Sequence, residues 1–209
     1  MKRLLLTLIL LCAFLAPTSA ASDNWNPIAE KIEKSLALVV VGERGSCTAF
    51  SINEQENYVL TASHCFGHDI EGKDLLVDNS PAKLIARDQK HDLMVLYVKG
   101  LDKPAIHMAK RDPRVGDNVA SYGFGLGLEH PLFRVSYVSA TDTTIDGSGL
   151  PDRLIAVDTQ FVPGMSGGPV VNADGNLVMM VEAGGQGVGL GPGAEMIKKS
   201  MGRYFEDVK

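Results

Sequence analysis

Apolar residues in this chain come in short runs separated by clusters of Gly, Pro, Asn, Asp and Ser. This spacing favours many short strands over long helices. The run 36–41 is apolar and rich in β-branched residues, and predicts a buried strand. Runs 48–52 and 58–62 flank the polar stretch Asn53-Glu54-Gln55-Glu56-Asn57 and predict two further strands joined by a loop. Shorter runs at 75–77, 83–86 and 93–98 complete a first set. Residues 99–114 are rich in Lys, Asp and Pro and show neither period, which predicts a linker. A second set is predicted at 118–122, 133–140, 154–158, 168–171, 177–181 and 188–190. Gly184-Gly185-Gln186-Gly187 reads as a loop that is either flexible or a hairpin turn. Helical patterning is confined to the two ends. Asn26-Pro27 followed by Ile28, Ile32 and Leu36 predicts a short capped helix with proline in its first turn. Met196, Ile197, Met201, Tyr204 and Phe205, after Pro192-Gly193, predict an amphipathic helix over about 193–206. The fold class is therefore all-β, as barrels or a sandwich, and no solenoid-length repeat or low-complexity tract is present.

The extreme N-terminus departs from this pattern. Lys2-Arg3, an apolar run from Leu4 to Leu15, and small residues through Ala20-Ala21 form the three parts of a secretory signal peptide. Cleavage near Ala20 gives a leader over 1–20 and a mature domain over 21–209. The predicted location is the periplasm or the extracellular space, with no membrane anchor after cleavage. Of 20 basic and 25 acidic residues, the leader holds Lys2 and Arg3, so the mature chain is clearly acidic. That balance, without a Lys/Arg run, argues against binding to nucleic acid or an anionic membrane. Removal of the leader also removes Cys12 and leaves Cys47 and Cys65. In an exported chain an isolated pair is most simply a disulfide, with two buried free thiols as the alternative. No second Cys/His pair has ligand spacing, so neither a metal nor another cofactor is expected.

The candidate chemistry lies in three segments. Pro163-Gly164-Met165-Ser166-Gly167-Gly168-Pro169 sets one serine in a glycine-dense turn between apolar runs. Such a turn can expose a hydroxyl and point backbone N–H groups at a developing oxyanion. A serine hydroxyl needs a base and an acid that orients the base. His64, in Leu60-Thr61-Ala62-Ser63-His64-Cys65, and Asp92, in His91-Asp92-Leu93-Met94-Val95-Leu96, supply them. Each is ambiguous alone: the serine could sit in an ordinary tight turn, the histidine in the core, the aspartate at a strand end. Asp88 and His91 rival Asp92 for the acid role, whereas His68, His107 and His130 lie in polar contexts and read as exposed.

In the order His, Asp, Ser, these segments resemble the trypsin-like (chymotrypsin-fold) serine proteases. Pro113-Arg114-Val115-Gly116-Asp117, Gly123-Phe124-Gly125-Leu126-Gly127 and Val170-Val171-Asn172-Ala173-Asp174-Gly175 resemble the bacterial HtrA/Deg and glutamyl-endopeptidase-like branch. The resemblance implies two six-stranded Greek-key barrels, at about 36–99 and 115–191, with a linker over about 100–114 and a C-terminal helix. It implies His64, Asp92 and Ser166 as catalytic residues, an oxyanion hole from the N–H groups of Gly164 and Ser166, and a bridge between Cys47 and Cys65. A substrate pocket would be lined by Gln160, Phe161, Met180, Val181 and Glu182. Gln160 stands where trypsin itself carries an aspartate, so a Lys/Arg preference is not expected. Glu182 is either a pocket charge or an exposed strand-end carboxylate. Met165 replaces the aspartate that pancreatic relatives pair with a new N-terminus, so activation of that kind is not expected. Many HtrA proteins carry a peptide-binding domain after the protease; none is expected here after the helix.

The predicted function is a serine endopeptidase acting on protein or peptide through an acyl-enzyme. A silent or latent peptide-binding module on the same fold is the alternative. A serine esterase fits less well, because α/β-hydrolases order their triad Ser, Asp, His and alternate strands with helices.

Overall fold

The computed structural model describes residues 24–40, 45–67 and 75–208. The leader expected over 1–20, Val41 and His68 lie outside them. Six strands, β1 (Leu36–Val40), β2 (Ser46–Asn53), β3 (Tyr58–Ala62), β4 (Leu75–Val77), β5 (Ser80–Asp88) and β6 (Leu93–Val98), close into a barrel in the order β1-β2-β3-β6-β5-β4. All pairings are antiparallel. Strand β6 reads as continuous apolar sequence because both its faces are covered: Leu93, Val95 and the barrel-lining Met94, Leu96 and Val98 are all buried. Strand β5 runs at the surface, exposes Leu84 and Ile85, and bulges between Leu84 and Ala86. Its half-polar pattern is why the sequence signalled only its middle.

The second half holds seven strands: β7 (Asn118–Gly123), β8 (Leu132–Thr143), β9 (Leu154–Val157), β10 (Pro169–Val171), β11 (Leu177–Met180), β12 (Ala183–Gly185) and β13 (Val188–Gly191). They form one sheet in the order β11-β10-β7-β8-β9-β13-β12. This differs from the expected six-stranded closed barrel by one strand, β12, and by the open order. The glycine-rich segment expected to be a loop is in part that strand. Ala183, Gly184 and Gly185 pair with Leu190, Gly189 and Val188 around a tight hairpin turn. Two glycines in three residues hide a strand from any propensity argument.

The first helix, α1 (Asn26–Glu33), has Trp25 at its N-cap with no side-chain cap bond, where a capped start was expected. Tertiary contacts hold it to β7 instead. Tyr122 donates its hydroxyl to Glu33 at 2.9 Å, and Trp25 and Tyr122 both pack on Phe133. The C-terminal helix α2 (Ala194–Met201) is shorter than expected and ends in a single 3-10 turn at Gly202–Tyr204. Asp112, from the stretch between the halves, accepts the Glu195 N–H at 2.8 Å and so satisfies a free donor of the α2 first turn.

Two apolar clusters explain how the halves stay together. One fills the barrel, with Ala37, Val39, Val59, Val77, Met94 and Leu96. The other joins barrel residues Phe50, Leu60 and Leu93 to Val119, Val170, Met179, Ile197 and Phe205. The interface between the halves is thus core, and residues at its rim are held by packing from both sides.

Candidate active site

The rim of that interface brings the three segments together. His64 sits in a 3-10 turn (Ser63–Phe66) directly after β3, and Asp92 lies between β5 and β6. Strands β3 and β6 are neighbours with Ala62 opposite Leu93, which sets the two side by side. Asp92 Oδ2 lies 2.6 Å from His64 Nδ1, and Asp92 Oδ1 accepts the His64 backbone N–H at 2.7 Å. The Asp92 carbonyl also accepts the Ser63 N–H at 3.0 Å. Asp92 is 7 % exposed and takes a left-handed backbone, φ 56°, which aspartate tolerates better than most residues. The hydrogen bond from Asp92 raises the His64 pKa above the ordinary histidine value, against the opposing effect of partial burial. Such a pair fixes the ring's tautomer, with Nδ1 carrying the proton and Nε2 left as the acceptor.

The rival acid is committed elsewhere. Asp88 Oδ2 pairs with His91 Nδ1 at 2.7 Å and accepts the Ser200 hydroxyl at 2.5 Å, tying α2 to the end of β5. His107 and His130 are exposed, as expected, and His107 lies 3.6 Å from Asp207.

Ser166 lies across the interface, on the turn between β9 and β10. Its carbonyl accepts the Thr48 N–H at 2.8 Å. Thr48 Oγ1 donates to the Gly164 carbonyl at 2.9 Å and accepts the Phe124 N–H at 2.8 Å. Thr48, on β2, therefore holds both ends of the serine turn, a role that its place in an apolar run did not reveal. Gly167 is pressed against the same strands: a Cβ there would lie 2.3 Å from the Thr48 carbonyl oxygen and 2.5 Å from Thr61 Oγ1. Gly164 has φ 97°, and a Cβ on it would lie 2.3 Å from the Phe124 carbonyl oxygen. Met165 is fully buried in the shared core. Apolar burial thus anchors the position for which pancreatic relatives use an aspartate.

The disulfide joins Cys47 to Cys65. Cys47 precedes Thr48 and Cys65 follows His64, so one bond ties the strand that holds the serine turn to the turn that carries the base. Its loop, with a sequence separation of 18, gives about 3 kcal/mol on the chain-entropy model. Replacing both cysteines by alanine is expected to lower unfolding free energy by about that much. Chemical denaturation of the two proteins measures it.

The residues expected to line a pocket divide. Met180 and Val181 are buried in the core, and they serve the turn through their backbone: the Val181 carbonyl accepts the Gly167 N–H at 2.7 Å. Both side chains are buried, Met180 as the last residue of β11 and Val181 directly after it. Gln160 is exposed, with its carbonyl bonded to Arg134 Nη1 at 3.0 Å. Phe161 is 4 % exposed and packs on β12 and β13: a Cβ on Gly189 would lie 2.6 Å from Phe161 Cε2, and one on Gly184 2.8 Å from the Phe161 nitrogen. Glu182 is 4 % exposed, which excludes the exposed strand-end reading. Its carbonyl accepts the Ser166 hydroxyl at 3.3 Å, while its carboxyl atom Oε2 is buried without a hydrogen-bond partner. Burial, and then the charge of Asp92, push its pKa up to about 8. Glu182, His64, Asp92 and Arg87 line a cavity of about 450 Å³. A larger hollow of about 680 Å³, around Lys110 and Asp174, shares none of these residues and is not the chemical site. No cluster of His, Cys, Asp and Glu that could hold a metal occurs among the described residues.

A closed barrel and a second β-sheet, meeting over a His–Asp pair and a glycine-framed serine, define the trypsin-like fold class. Consistent with this, a family model described as the trypsin-like peptidase domain matches residues 47–180. The chain belongs to that family of serine-protease hydrolases, and its relatives are of HtrA/Deg type. One is a probable periplasmic serine endoprotease DegP-like of Hahella chejuensis, 33% identical over 134 residues, which are 61% of this chain and 27% of that protein. Another is the putative serine protease HhoB of Synechocystis sp., 29% identical over 156 residues, 70% of this chain and 37% of that one. Among solved structures, the serine endoprotease from Yersinia pestis superposes with a TM-score of 0.72 at 22% identity, covering 88% of this chain and 67% of that chain. The active form of the Rv3671c protease from M. tuberculosis gives 0.74 at 18% identity, with 85% and 83% coverage. At these identities the structural likeness is one of fold. The matched region spans only 26% to 37% of the length of the curated relatives.

Proposed function

We propose that the protein is a serine endopeptidase of the periplasm or extracellular space that cleaves peptide bonds through His64, Asp92 and Ser166. The observation that carries this reading is the 2.6 Å His64–Asp92 pair beside a serine turn held from the opposite half by Thr48. The Ser166 hydroxyl turns from the Glu182 carbonyl to His64 Nε2. At 3.3 Å that resting bond is long for an O–H···O contact, so little holds the hydroxyl there. Attack on the substrate carbonyl passes the hydroxyl proton to His64, and the N–H groups of Gly164 and Ser166 receive the oxyanion. His64 then protonates the leaving amine and next deprotonates the water that hydrolyses the acyl-enzyme. Asp92 keeps the ring oriented and balances its charge. The leader-like N-terminus supports export, as do relatives named periplasmic.

The test is labelling by a fluorophosphonate, with Ser166→Ala and His64→Ala as controls. Labelling of the wild type alone supports the reading. Folded, oxidised wild-type protein that takes no label instead supports a latent or silent peptide-binding module.

The position of Phe161 also bears on specificity. Its ring lies against Gly189 of β13, and the proposed substrate pocket is read as lined in part by Phe161. A pocket narrowed by this ring would suit small side chains. Phe161→Val is expected to move the preference toward bulkier apolar residues by about tenfold or more, since one methylene in such a pocket is worth 10–200-fold. Cleavage of a peptide library varied at that position reads the change, and an unaltered profile would place the pocket elsewhere.

A further inference from the structure

Glu182 stands apart from the other residues at the site. It is a buried carboxyl beside a buried carboxylate, with Oε2 unpartnered, on the residue whose carbonyl receives the Ser166 hydroxyl. Both Asp92 oxygens are already engaged by His64, one by the ring and one by the backbone N–H. A second full negative charge in this enclosed space would be opposed by Asp92 and poorly solvated.

We propose that Glu182 is a positioning residue that works as a neutral acid: it keeps a proton beside Asp92 and thereby sets the proton affinity of His64. This deepens the protease reading and rests on it. Glu182 does not touch the reacting atoms through its side chain; it acts through the His64–Asp92 pair.

Among the described residues, the charged groups that line the cavity with Glu182 come from three places. Asp92 comes from the β5–β6 connection, His64 from the turn after β3, and Arg87 from β5. The Arg87 guanidinium is directed to the Ser63 hydroxyl at 2.7 Å and to the Ser63 and Gly67 carbonyls. The segment Gly149-Leu150-Pro151 closes the other side without a charge. With Glu182 neutral, His64 faces one carboxylate and releases its proton to serve as base. Once Glu182 ionises, in the range near pH 8 that its burial dictates, His64 faces two and holds its proton to higher pH. Glutamine at 182 imitates the neutral form and cannot ionise.

The experiment has two arms. In Ser166→Ala protein, NMR follows the Glu182 carboxyl carbon and the His64 ring against pH. The carboxyl is expected to titrate far above the ordinary carboxylate range, and the ring to respond a second time in the same interval. With Glu182→Gln the ring should titrate in a single step. A Glu182 carboxyl that titrates in the ordinary range overturns the proposal, whether or not the glutamine variant folds. So does a His64 titration identical in both proteins.

The second arm measures fluorophosphonate labelling rates against pH for wild type and Glu182→Gln, each normalised to its own rate near pH 6. The profiles are expected to coincide near pH 6, to differ most around pH 8, where the wild type falls behind, and to converge again at higher pH once His64 is deprotonated in both proteins. A full one-unit shift in His64 corresponds to at most tenfold. Superimposable profiles from two labelled proteins overturn this proposal and leave the protease reading intact. Absence of label from both at every pH overturns the protease reading and this proposal with it.

Discussion

Replacing Ser166 or His64 with alanine is expected to lower peptide-bond hydrolysis by on the order of 10⁶-fold, with either single change costing about as much as both together. The two groups act as a unit: without the hydroxyl there is no acyl-enzyme, and without the imidazole the hydroxyl keeps its proton. Asp92→Asn should cost less, on the order of 10⁴-fold, because the pair at 2.6 Å from Nδ1 would survive with the wrong tautomer. Residual turnover over the uncatalysed rate should persist in each variant, from the N–H groups of the serine turn. Single-turnover kinetics with an activated ester, which needs less help to leave than an amide, measures all three on one scale. Loss of less than about tenfold in Ser166→Ala would remove the serine from the reaction.

The second large effect is expected from a residue with no side chain. Gly167 has φ 82°, and a methyl group there would lie 2.3 Å from the Thr48 carbonyl oxygen, 2.5 Å from Thr61 Oγ1 and 2.7 Å from the Ala62 nitrogen. These neighbours are backbone, or a side chain bonded to it: Thr61 Oγ1 donates to the Thr48 carbonyl at 2.8 Å. None of them can swing aside. Overpacking of about 1–3 kcal/mol and left-handed strain of about 1–2 kcal/mol add in Gly167→Ala. The expected loss is about 2–5 kcal/mol, a large part of the 5–15 kcal/mol typical of a domain. In a chain of this length that is on the order of 10 °C in Tm. Because the clash wedges β2 from the serine turn, labelling of Ser166 should fall in the fraction that remains folded. Thermal unfolding with parallel labelling separates the two consequences, and an unchanged Tm would mean that the halves separate more easily than their shared core suggests.

Both expectations depend on the contact between the halves, and there the limits of the linear chain are clearest. Strands β3, β4 and β6 were legible to the residue, because continuous apolar runs ended by turn residues admit few other structures. Strand β12 was not, since Ala183-Gly184-Gly185 has no propensity to read and gains its pairing only from β13. The extra strand follows from that local hairpin and the open order from long-range pairings such as β9 with β13, neither of which a count of apolar runs contains.

The site divides in the same way. Ser166, His64 and Asp92, the proposed triad, could be singled out in the sequence because the proposed chemistry demands those residue types and because glycine density, Thr-Ala-Ser-His-Cys and the start of an apolar strand mark them. Tertiary structure alone decided that Thr48, an inconspicuous residue in β2, holds the turn with two hydrogen bonds and ties it to Phe124 with a third. It also decided that Met180 and Val181 are buried, and that Phe161 lies against Gly189. Glu182 shows the difference most plainly. From the sequence it was a charge at the end of a strand, open to either reading. Only the fold, by burying it next to Asp92, pushes its pKa up. Residue type determines which chemistry is available; the surroundings that set proton affinity and access exist only once distant strands have packed.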